Sequence, residues 1–165
     1  MAGSAFSIEQ ARQAEARHLP GACHEDFLRL SRSLIYGPEF QWLLVDAPDV
    51  LQRAGLRSDR LPLSDKIADV PMLEARLVNN ARQAPVVHVI GRPGWFDAAR
   101  WDALNARRER LAAEARARLV FWLDGEAIAL ASLGAPDLWA WRGGVYSFRP
   151  PTPPSSTPGP GVDRP

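Results

Sequence analysis

Apolar and polar positions fall into blocks along this chain. Three blocks are short and almost wholly apolar: Phe40-Gln-Trp-Leu-Leu-Val-Asp46, Val86-Val-His-Val-Ile90 and Leu119-Val-Phe-Trp-Leu123. Runs of this length and continuity predict strands covered on both faces. A fourth, Val145-Tyr-Ser-Phe148, predicts a closing strand. Between them lie segments with helical spacing. Phe27, Leu30, Leu34 and Ile35 share one face of a helix over His24 to Ile35, and Leu73, Leu77 and Val78 turn inward on one over Met72 to Arg82. The longest helix is expected from Asp97 to about Arg116, and a shorter one over 125–133. Ser7 is a good N-cap for a helix over Ile8 to His18, and Asp49 for one over Val50 to Ala54. Residues 55–71 read as an excursion over the surface, punctuated by Gly55, Pro62 and Pro71.

Apolar strands alternating with helices predict βαβ units. The expected fold is α/β: a mostly parallel sheet of about four strands, near 40–46, 86–90, 119–123 and 144–148, with helices on both faces and two helices before it. One domain over 1–148 follows. From Arg149 onward, Pro-Pro-Thr-Pro-Pro-Ser-Ser-Thr-Pro-Gly-Pro predicts a disordered tail or linker.

Composition narrows the function classes. The formal net charge is +1, so no strong field steers the chain to nucleic acid. Of 20 basic residues only Lys66 is lysine, an imbalance that codon bias in a GC-rich genome accounts for. Cys23 is the single cysteine, which excludes an internal disulfide and fits a reducing, cytoplasmic setting. The N-terminus lacks the pattern of a signal peptide, and no apolar run approaches a membrane span.

Motif chemistry is sparse. Leu119 to Asp124 has the form of a Walker B strand, but the lysine-bearing phosphate loop that a Walker B needs is missing. Asp124 therefore reads as a helix cap. Gly91-Arg92-Pro93-Gly94 follows a strand, where open α/β sheets bind ligands, yet it lacks the dinucleotide spacing and Pro93 removes a donor. Asp46, Arg92 and Asp124 are thus the ligand-edge candidates. His88 reads as a packed strand residue, and a nucleophilic role for Cys23 beside His24 has no orienting partner in view. The tryptophans read mainly as core. No catalytic residue, cofactor or metal is expected.

Arg108 carries the most information. At about 100° per residue, Trp101, Leu104, Leu111, Ala112 and Ala115 form one helical stripe. Arg108 falls within that stripe and Asn105 on its edge, whereas Arg100, Arg107, Arg110 and Glu114 point elsewhere. An arginine aimed at the sheet needs a partner. It lies about 16 Å down the helix from the upper strand edge, which excludes Asp46 and Asp124. Asp137, delivered to the lower edge by the 125–133 helix, is the expected partner, with Trp139 or Trp141 covering the pair; with Asn105 and Arg142 these are the structural or partner-binding candidates. The pair reads as structural rather than as a ligand site.

Leu104-Asn105-x-x-Arg108, Leu119-Val-Phe-Trp-Leu, Ala135-Pro-Asp-Leu-Trp-Ala-Trp-Arg and Gly144-Val-Tyr-Ser-Phe together resemble an α/β module. That module stands at the N-terminus of bacterial multidomain signalling and conflict proteins, ahead of NTPase, tetratricopeptide-repeat or effector domains. The resemblance covers about residues 40–148. It implies a P-loop-NTPase-like sheet that has lost nucleotide chemistry, and a protein partner or downstream effector domain. Asp124-Gly125 departs from the pattern and keeps a residual nucleotide role open. The expected function is a non-catalytic interaction or sensor module of bacterial signalling or antiviral defence. A degenerate nucleotide-binding domain is the alternative, and a small hydrolase the weaker one.

Overall fold

The computed structural model describes residues 24–47, 60–62 and 66–148. The expected helices over Ile8–His18 and Val50–Ala54, Cys23, and the tail from Arg149 lie outside the described residues.

The elements run α1 (His24–Tyr36), β1 (Gln41–Asp46), β2 (Arg60–Pro62), α2 (Val70–Ala81), β3 (Val86–Ile90), α3 (Ala98–Ala106), α4 (Arg108–Glu114), β4 (Arg118–Leu123), α5 (Gly125–Gly134), α6 (Pro136–Ala140) and β5 (Arg142–Ser147). The five strands form one sheet in the order β2-β3-β4-β1-β5. Every pairing is parallel.

Parallel pairing explains why the strands read as continuous apolar runs: both faces are roofed. Trp42, Leu43, Leu44 and Val45 of the interior strand β1 are all fully buried, although neighbours along the strand point to opposite faces. One face carries Trp42, Leu44, Val87, Val89, Leu119 and Phe121, and α2, α3, α5 and α6 pack on it through Leu73, Trp101, Ala131 and Leu138. The other face carries Leu43, Val45, Val120, Trp122 and Tyr146, and Leu30 of α1 packs there with Phe27 and Leu34 around it. An aromatic knot fills the larger core. Phe96 stacks on Trp101 at 4.4 Å between centroids, and Trp42 meets Phe121 edge-on at 6.1 Å. Edge-to-face and offset pairs of this kind add about 0.5–1.5 kcal/mol each beyond burial.

Two expectations are corrected. A short strand, β2, lies within 55–71, where an excursion was expected, and it adds one edge strand to the parallel sheet of about four that was expected. Three residues with a proline at the end carry too little periodicity to signal a strand. The helix expected over 97–116 is broken at Arg107 into α3 and α4 and ends at Glu114. Ala-Arg-Arg-Glu contains no helix breaker. At the break the Arg107 amide donates to the Leu104 carbonyl at 3.0 Å, one residue short of the α-helical bond, and the Arg108 guanidinium takes the Asn105 carbonyl at 2.9 Å. β5 also starts earlier than expected, at Arg142.

Candidate functional site

Two clusters form around the α3–α4 segment, one against α6 and one against α2. The first is at the lower edge of the sheet, where the strands begin. α6 is only five residues long and has no side-chain cap of its own, since Ala135 stands at its N-cap position. Asn105 supplies the cap from α3: its Oδ1 accepts from the Leu138 amide at 2.8 Å, and its Nδ2 donates to Asp137 Oδ2 at 3.2 Å. Arg108 follows one turn later. Its Nη1 lies 3.4 Å from the same Asp137 oxygen, and its guanidinium lies 5.7 Å from the Trp141 ring centroid. Arg142 lies over Trp139 at 4.2 Å and donates to its carbonyl at 2.6 Å.

All six residues expected at this edge are therefore brought together: Asn105, Arg108, Asp137, Trp139, Trp141 and Arg142. The Arg108–Asp137 pair exists, but it is not sealed from water. The side chains are 24% and 57% exposed, and Trp141 is 46% exposed rather than a cover. The physical reason is the place of the partner: Asp137 lies in the first turn of the short helix α6 and is itself exposed, so the pair forms where water reaches it.

The second cluster went unnoticed in the sequence. Arg107 and Arg110, expected to face solvent, both approach Glu74 of α2. Arg107 Nε lies 3.5 Å from Glu74 Oε2, and Arg110 Nε lies 3.5 Å from Oε1. The Glu74 side chain is only 8% exposed, and its Oε2 has no hydrogen-bond partner. Arg110 also donates to Glu114 at 3.0 Å. The hydrogen bond and charge of Glu114, then the charge of Glu74, raise the Arg110 pKa. These groups line a cleft of about 510 Å³ between α2 and α4, together with Asn79 and Arg82. The signal was present in the sequence: Glu74 stands four residues after Val70, three before Leu77 and four before Val78, within the inward stripe of α2.

The upper edge holds the remaining candidates. Asp124 is a helix cap, as its position predicted: its Oδ1 accepts from the Ala127 amide at 2.7 Å. Asp46 ends β1, and its Oδ2 lies 3.7 Å from where a Cβ on Gly125 would stand. The two carboxylates thus flank the start of α5. Arg92 is exposed after β3, in a turn closed by a bond from the Trp95 amide to its carbonyl at 3.1 Å. Its strand, β3, neighbours β4 and stands two strands from β1 and Asp46. His88 is a packed strand residue, and its Nδ1 accepts from Trp122 Nε1 at 3.0 Å. Among the described residues, no grouping of three or more His, Cys, Asp and Glu could hold a metal. No described helix is long and apolar enough to cross a membrane. No family model, curated protein or solved structure matches this chain.

Proposed function

We propose that this domain is a non-catalytic interaction module that docks a protein partner or a downstream effector domain in a bacterial, cytoplasmic signalling or defence system. The observation that carries the reading is Trp141. It is a large aromatic side chain left 46% exposed, held against the Arg108 guanidinium at 5.7 Å. Trp139 under Arg142 continues the surface. Tryptophan and arginine are the residue types most enriched among binding hot spots. Their hydrogen bonds and ring contacts hold the side chains in place before any partner arrives, which reduces the ordering loss on binding. The resemblance to N-terminal modules of signalling and conflict proteins points the same way.

The test compares immobilised wild-type domain with Trp141→Ala and Arg142→Ala for capture of partners from the cells that produce it. A partner held by the wild type and lost by Trp141→Ala, with unchanged melting, is the expected result. Capture that survives both substitutions would refute docking at this edge. The nucleotide alternative is tested by isothermal titration with ATP, GTP and their diphosphates in Mg²⁺, where binding would favour it, and the non-catalytic reading by turnover. Purified protein is expected not to hydrolyse ATP or GTP with Mg²⁺, whereas turnover abolished by Asp124→Asn would overturn the non-catalytic reading.

A further inference from the structure

The lower edge carries a second exposed aromatic residue besides Trp141. α1 leads down into β1, so Tyr36, its last residue, stands where the strands begin, and it is 83% exposed. A run of contacts joins it to Trp141. Arg118 Nη2 donates to the carbonyl of Gly37, next to Tyr36, at 2.6 Å. Gln41 pairs with Arg118 across β1 and β4, and its amide reaches from Gly37 to Gly143, where it lies 3.0 Å from the place a Cβ would take. Neither glycine has room for a side chain, so backbone and the Gln41 amide form the middle of this strip. Arg142 follows, stacked on Trp139, with Trp141 beside it.

The strip is positively charged. In β1, β3, β4 and β5, the first residue and the three before it carry Arg116, Arg118 and Arg142 against Glu39: three minus one, or +2. At the upper edge, the last residue and the described ones among the next three carry Arg92 against Asp46, Asp124 and Glu126: one minus three, or −2. Arg108 is answered by Asp137 at 3.4 Å and Glu109 at 3.7 Å. Among the described residues, Arg116, Arg118 and Arg142 form no ion pair. Arg116 and Arg142 are exposed, and Arg118 is half-buried.

We propose that the partner segment docked at this edge is acidic: a protein chain with Asp or Glu beside apolar or aromatic anchors, laid across the strip from Tyr36 to Trp141. The proposal rests on docking at Trp141 and adds the chemistry of what docks. The exposed aromatic ends supply anchors. The unpaired guanidinium groups between them match carboxylates, whose two oxygens fit the arginine fork. Complementary charge of this kind selects the partner and speeds encounter more than it deepens affinity. A nucleic acid fits less well, because it brings a phosphate at every nucleotide and Glu39 and Asp137 stand on the same edge.

The experiment selects a displayed library of random peptides on the immobilised protein and titrates the retained sequences. Peptides held by the wild type should be net negative and carry an aromatic or large aliphatic residue, and added salt should weaken them because the facing charges are exposed. Tyr36 and Arg116 are exposed, so Tyr36→Ala and Arg116→Glu should keep the wild-type melting temperature. Each should weaken the acidic peptides several-fold, and Arg116→Glu combined with Arg142→Glu by at least about tenfold. Retained peptides that are neutral or basic, yet lost on Trp141→Ala, would overturn the acidic partner and leave docking at Trp141 standing. Peptides that Trp141→Ala holds as tightly as the wild type would remove both. The proposal also falls if no peptide is retained, or if acidic peptides ignore Tyr36→Ala and the double charge reversal. Displacement of those peptides by a single-stranded oligonucleotide at lower concentration than by free acidic peptide would overturn it in favour of nucleic acid.

Discussion

Replacing Arg107 by alanine tests the buried charge at Glu74. The guanidinium is one-third exposed and lies 3.5 Å from Oε2, while the carboxylate it faces is 8% exposed. Removing one partner of a fully buried pair costs about 3–5 kcal/mol because the other charge stays buried. Three features reduce that figure here. Arg107 is partly solvated, the contact lacks hydrogen-bond geometry, and Arg110 remains at 3.5 Å from the other oxygen. Allowing for solvent screening, the loss should be about 1–2 kcal/mol. Against a typical total of about 5–15 kcal/mol this is substantial, and it corresponds to a fall in melting temperature of roughly 3–8 °C. The assay is urea unfolding of wild type, Arg107→Ala, Glu74→Gln and the double variant. Glu74→Gln removes the buried charge, so Arg107→Ala made in that background should cost clearly less than in the wild type. Equal losses in both backgrounds, or a silent Arg107→Ala, would refute the idea that Arg107 neutralises Glu74.

Further outcomes follow from the same contacts. Arg108→Ala and Asp137→Ala should each lose only about 0.5–1.5 kcal/mol, because the pair is half solvated; a double-mutant cycle by chemical denaturation should find a coupling of about 0.5 kcal/mol, and a loss beyond 3 kcal/mol would contradict the exposure. Asn105→Ala removes the acceptor for the Leu138 amide and should cost about 1–3 kcal/mol, more than either charge at that edge, as measured by the same unfolding. Gly91→Ala places a Cβ 2.7 Å from Leu123 Cδ2 and 2.8 Å from the Trp122 carbonyl; it should destabilise by about 1–3 kcal/mol, and an unchanged melting temperature would mean the β3–β4 edge yields easily.

What the sequence determined was the layered architecture. Continuous apolar runs cannot be left half covered, so Trp42–Val45, Val87–Val89 and Leu119–Leu123 could only be interior strands of a roofed sheet. Asp124 was legible as a cap because capping is local, needing only a short acceptor three residues before a free amide. Even the lower-edge cluster could be reached, since helical spacing and strand direction place Arg108 and Asp137 at the same height.

Tertiary structure decided how that edge meets solvent. At the Arg107 break Asn105 reaches across to α6 and Arg108 takes the Asn105 carbonyl, and the first of these contacts spans more than thirty residues. A helical wheel drawn through an unbroken helix therefore sent Arg108 too deep and Arg107 outward. Arg107 and Arg110 face α2, and Glu74, which helical spacing sets in the inward stripe of Val70, Leu73, Leu77 and Val78, is the buried charge they meet. Burial of a polar side chain is a property of what packs over it, and here the cover comes from α4, more than thirty residues along the chain from Glu74.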